Sequence, residues 1–132
     1  MENKEPDNPL DEVFVDETTI DEKRVASILN NYAQIGENSG RLIPNSEYDA
    51  LTAKDKILVT LVAERAKLIR EEVESASLGP SAISNASGVA EGTVKPTVRD
   101  LAEDGLIRDD EDGYSVEPSK LRLVENRLEN DE

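Results

Sequence analysis

Apolar residues recur at helical spacing in several stretches of this chain, and the segments between them carry turn chemistry. Val25, Ile28, Leu29 and Tyr32 fall at i, i+3, i+4 and i+7, behind Thr19-Ile-Asp-Glu22, which has the form of a capping box. The spacing predicts a helix over about 20–34. Asn38-Ser39-Gly40 is a turn signal, and Gln34-Ile35 with Arg41-Leu42-Ile43 are expected to form a short hairpin around it. Behind a Thr52 cap, Ile57, Leu58, Leu61, Val62, Ala66, Leu68, Ile69 and Val73 make a broad stripe that predicts a long helix over roughly 53–74. Its apolar face is wider than a surface helix needs, which places it at the centre of the core or against a second subunit.

The densest signals lie between Gly79 and Val116. Pro suits the first helical position, so Gly79-Pro80 opens a short helix over Ser81–Ala86 with Ile83 and Ala86 facing inward. Ser87-Gly88-Val89 reads as a turn, Gly88 taking the left-handed conformation at the helix end. A second helix over about 90–103 buries Val94, Val98 and Leu101, and Gly105 ends it. Leu106-Ile107-Arg108 then reads as a strand, Asp109 to Gly113 as a turn, and Tyr114-Ser115-Val116 as the returning strand. Pro118-Ser119 opens a last helix with Leu121, Val124 and Leu128 on one face.

The ordered set Gly88-Val89, Thr93-Val94, Val98, Leu101 and Gly105-Leu106-Ile107 resembles the winged helix-turn-helix superfamily of transcriptional regulators, over about residues 52–128. The expected fold class is mainly α with a small β-wing: a winged helix-turn-helix domain (52–132) preceded by an N-terminal helix and turn extension (18–51) and an acidic tail (1–17). The resemblance implies that the second helix of the motif lies in the major groove, its solvent-facing N-terminal residues touching base edges and phosphates. Carried over residue by residue, these are Glu91, Gly92, Thr93, Lys95, Pro96 and Arg99, with Ser81 near the backbone. Lys95 and Arg99 lie four apart, so both can reach phosphate or guanine. Thr93 offers a hydroxyl and a methyl, and Gly92 lets backbone approach a groove. Pro96 departs from the family pattern, where a long polar or basic residue is usual. It removes a backbone donor and is expected to bend the helix or loosen its first turn, so that Lys95-Pro96-Thr97 shapes the base-reading tip.

Charge complicates that expectation. The 132 residues carry 30 Asp and Glu against 15 Lys and Arg, a formal charge of −15. Residues 1–17 hold seven acids and one base, 18–51 five and three, and 52–132 eighteen and eleven, so no segment is basic. Such a balance argues against binding nucleic acid through bulk electrostatics. The wing tip itself is Asp109-Asp110-Glu111-Asp112, where a DNA-binding wing meets phosphate. The composition, acid-rich and poor in Lys and large aromatics, resembles that of proteins from salt-in halophiles; an ordinary acidic interaction protein is the alternative. In concentrated salt the screening length falls to about 3 Å at 1 M, so an acidic wing is tolerated and binding rests on shape fit and base contacts.

The chain has neither His nor Cys, which removes the usual general base, thiolate chemistry and the commonest metal ligands. Enzymatic chemistry and cofactors are therefore not expected. The low hydrophobicity of residues 1–17 predicts disorder, except that Leu10-Asp-Glu-Val-Phe-Val15 has apolar residues able to dock on the body or on a partner. No apolar run approaches the roughly 20 residues of a membrane span, and the acidic opening is unlike a secretory signal, so a cytoplasmic protein is expected. The expected function is sequence-specific recognition of double-stranded DNA by a homodimeric regulator. The competing reading is a winged-helix adaptor that meets a protein partner through its acidic tail or wing.

Overall fold

The computed structural model describes residues 8–130, so residues 1–7 of the expected disordered tail (1–17) lie outside the described residues. The chain is mainly helical with two small antiparallel hairpins. Residues 8–16 form a 3-10 turn, Pro9–Glu12, followed by an extended stretch. Asn8 caps the turn by accepting from the Leu10 N–H at 2.9 Å, and Pro9 stands at its start. Leu10, Val13, Phe14 and Val15 do not dock on the body: all four are exposed, Phe14 to 77%.

Helix α1 runs Glu17–Asn30, starting earlier than the Thr19 box predicts. Asp16 takes the capping role, accepting from the Thr18 N–H at 3.0 Å and from the Thr19 hydroxyl at 3.2 Å. Tyr32 falls just past the helix but still packs on the core. The expected hairpin follows as β1 (Ala33–Ile35) and β2 (Leu42–Pro44), with Gln34 opposite Ile43. A short helix α2 (Ser46–Asp49), capped by Asn45, buries Tyr48; sequence periodicity gave no sign of either.

Helix α3 spans Ala53–Ile69 and is buried on every side from Ile57 to Ala63. It is the central helix, and over those two turns no face is left for a second subunit. It stops short of the expected 74 because Glu71 adopts a left-handed conformation (φ 63°). The Glu72 N–H then bonds the Lys67 carbonyl and the Glu71 N–H the Leu68 carbonyl, a Schellman closure made without glycine. Around α3 pack α1, α4 (Pro80–Ser87), α5 (Glu91–Glu103) and α6 (Leu121–Asn130), which together form one hydrophobic core. α6 begins after the 3-10 turn Pro118–Lys120. Its Arg127 reaches the N-terminal turn of α3, where its Nε donates to the buried Asp55 carboxylate at 2.8 Å.

The second hairpin is β3 (Arg108–Asp110) and β4 (Gly113–Ser115). It starts two residues later than expected. The N–H groups of Gly105 and Leu106 are spent on the carbonyls of Ala102 and Leu101, closing the end of α5, so Leu106 cannot join a ladder. Leu78 pairs with Tyr114 through two backbone bonds of 2.9 and 2.8 Å, adding a one-residue third strand beside β4. Only glycine fits at 113: its φ is 128°, and a Cβ would stand 2.5 Å from the Leu78 carbonyl oxygen. Among the described residues no helix is long and apolar enough to cross a membrane.

Candidate nucleic-acid interface

The turn between α4 and α5 is held by a small set of buried polar groups. Gly88 ends α4 at φ 82°, its N–H bonding the Ser84 carbonyl at 3.0 Å. The Ser84 hydroxyl reaches across to the Val89 carbonyl at 2.6 Å, and the Ser87 hydroxyl accepts from the Val89 N–H at 3.1 Å. Beneath them the Tyr48 hydroxyl donates to the Ser87 carbonyl at 2.6 Å. Tyr48 thus fixes the height of the turn, and with it the start of α5. Burial pushes its pKa above the ordinary tyrosine value, against a smaller opposing effect from the Thr60 hydroxyl.

α5 is strongly two-faced. Val94, Val98 and Leu101 are fully buried against the core, as the spacing required. Glu91, Gly92, Thr93, Lys95, Pro96 and Arg99 are exposed together on the other side. Thr97 does not belong with them. It is 9% exposed, and its hydroxyl turns back to the Thr93 carbonyl at 2.6 Å, so it shapes the helix from within rather than facing a ligand.

Ser81, from the first turn of α4, meets the same patch. Its hydroxyl donates to Glu91 Oε2 at 3.0 Å, and Lys95 Nζ stands 4.0 Å from that same oxygen. Glu91 therefore ties the two helices together and orients Lys95 rather than offering a free negative charge. Both ends of the Lys95–Glu91 pair are about half exposed, so water screens it and the lysine is easily released to a stronger anion. No ion pair is seen for Arg99 among the described residues.

The first turn of α5 has an unusual backbone. Nothing lies within 4 Å of the point where a Gly92 Cβ would stand, so the protein itself does not require glycine there. The residue whose N–H would close on the Gly92 carbonyl is Pro96, which has none. α5 nonetheless runs unbroken across Pro96. The Gly92 carbonyl, like every helix carbonyl, points toward the C-terminus of α5 and faces the Pro96 ring, so what the exposed first turn presents is the bare Cα of Gly92.

The hairpin beside α5 is short and acidic. Glu111 and Asp112 are exposed at its tip, tightened by a 2.9 Å bond from the Asp112 N–H to Asp110 Oδ1. Arg108, its one cation, is spent internally on Glu117 at 3.0 Å and Asp110 at 3.5 Å. No protein-family model matches the chain, and comparison with curated proteins and with solved structures returned no match.

Proposed function

We propose that α3 to β4 form a winged helix-turn-helix, and that the protein is a regulator binding duplex DNA sequence-specifically through the exposed face of α5. The order helix, short helix, turn, helix, hairpin supports the fold. The observation that carries the function is Gly92. Gly92 stands in the first turn of α5, where alanine is an equally good or better helix former, yet nothing in the chain fills the space it leaves open. Close approach of an outside surface, a groove edge or a phosphate, accounts for it. Lys95 and Arg99 then flank the point of approach and meet phosphates. Gly92→Ala is expected to raise thermal stability while weakening binding to a selected duplex at least tenfold. Equal affinity of Gly92→Ala and the parent chain would overturn the reading.

A second reading is favoured by one observation, the exposure of Leu10, Val13, Phe14 and Val15 on a chain of charge −15. In that reading the domain is an adaptor for another protein. Capture of one stoichiometric partner that survives nuclease treatment, with no duplex bound, supports the adaptor; nuclease-sensitive capture supports DNA.

A further inference from the structure

The hairpin β1–β2 has two outer edges, and they differ. Gly36 N–H bonds the Arg41 carbonyl and Asn45 N–H the Tyr32 carbonyl, so positions 32, 34 and 36 are those that face β2. The backbone groups of Ala33 and Ile35 therefore point away from β2, and no further strand pairs there among the described residues. On the opposite edge Pro44 offers no N–H, which blunts that side against pairing. The β1 edge has no such protection. It borders a cleft of about 360 Å³ lined by apolar Val25, Leu29, Ile35 and Ile69 together with the charged Glu22 and Arg70.

The chain also carries a segment suited to that edge. Val13, Phe14 and Val15 are strong β-formers and are largely exposed; Val13 closes the Pro9–Glu12 turn through its N–H and must leave that turn to pair as a strand. They cannot reach the Ala33 end of their own β1. The segment leaves α1 at its N-terminus, whereas β1 begins beyond its C-terminus, about 21 Å away for a 14-residue helix. The link from Phe14 to Glu17 spans roughly 10 Å at full extension. A second copy has no such restriction.

We propose that two copies of this chain exchange their N-terminal arms, Val13–Val15 of each adding as a strand to the β1 edge of the other and Phe14 entering its cleft. Exchange in both directions gives a closed two-fold pair, the same surface serving on each side. Main-chain hydrogen bonds supply the pairing and the cleft supplies the side-chain register, as in other strand additions. Each copy carries −15, so repulsion opposes pairing in dilute buffer and added salt strengthens it. The inference is independent of what α5 binds.

Sedimentation equilibrium of the full chain from low to multimolar salt tests it. The parent chain is expected to dimerise, more tightly as salt rises, and Phe14→Asp to raise the dissociation constant at least tenfold with an unchanged circular dichroism spectrum. Because the chain has no cysteine, placement is read by mixing a Val15→Cys chain with a longer-tagged Gln34→Cys chain and adding a short bis-maleimide. A mixed covalent dimer is expected, and it disappears when Phe14→Asp is added to the first chain. A monomer at every salt concentration overturns the proposal, as does a dimer indifferent to Phe14→Asp. The absence of a mixed cross-link from a chain that does dimerise overturns it equally.

Discussion

The Tyr48 hydroxyl reaches 39 residues along the chain to the Ser87 carbonyl, and that bond sets where α5 begins. Tyr48→Phe leaves the carbonyl without this donor, a loss of about 1–2 kcal/mol by denaturant titration. The same tyrosine gives a pH signature. Its folded pKa is raised by burial, so the neutral form is favoured in the folded state. Its stabilisation is complete below the ordinary tyrosine value of about 10 and is lost as pH rises beyond it. The alkaline fall in stability should be shallower in Tyr48→Phe than in the parent chain. Glu71 is the opposite case, a side chain in a conformation that disfavours it. At φ 63° a non-glycine residue is strained by about 1–2 kcal/mol, so Glu71→Gly should stabilise by up to about 1 kcal/mol after the entropy of the unfolded glycine is counted. A lower melting temperature in Glu71→Gly would mean that the turn is held by something other than its backbone.

At the scale of elements, what the sequence made legible was whatever had a local cause. Gly88 and Gly105 end their helices as expected because glycine alone takes the left-handed conformation without strain. The end of α3 was hidden because a glutamate does the same job at 71. α2 was hidden because one buried tyrosine among polar residues has no period. The exposed positions of the candidate site followed from the stripe Val94, Val98 and Leu101, and six of the eight sit together on α5 with Ser81 alongside. Thr97 was misassigned although it lies three residues after Val94, on the buried stripe; its hydroxyl disguised it. The late start of β3 needed knowledge of where the Leu106 N–H goes, which is a tertiary outcome. Gly113 is the hairpin's most sensitive point: Gly113→Ala should cost at least about 2 kcal/mol and break the Leu78–Tyr114 pairing. Hydrogen exchange at the Leu78 and Tyr114 amides reads this directly, and unchanged protection would show that the pairing does not depend on glycine.

For the whole molecule the governing quantity is charge. With −15 on the chain and an acidic hairpin tip beside α5, each close approach of a carboxylate to phosphate opposes binding by about 1 kcal/mol in water. Lys95 and Arg99 neutralise at most two phosphates, so the salt slope on B-DNA should be shallow, about −2 in log–log form. Removing both should flatten that slope and weaken every sequence alike, whereas Gly92→Ala should weaken the preferred sequence most. The central claim is that α5 reads duplex DNA, and selection from a random duplex pool across a salt series, from about 0.1 M upward where screening shortens from roughly 10 Å, tests it most directly. One motif should emerge, its preference should be lost in a folded Gly92→Ala chain, and a folded Lys95→Ala/Arg99→Ala chain should bind motif and other duplexes alike more weakly. If no sequence is enriched at any salt concentration, α5 is not a DNA-reading helix and the account is wrong.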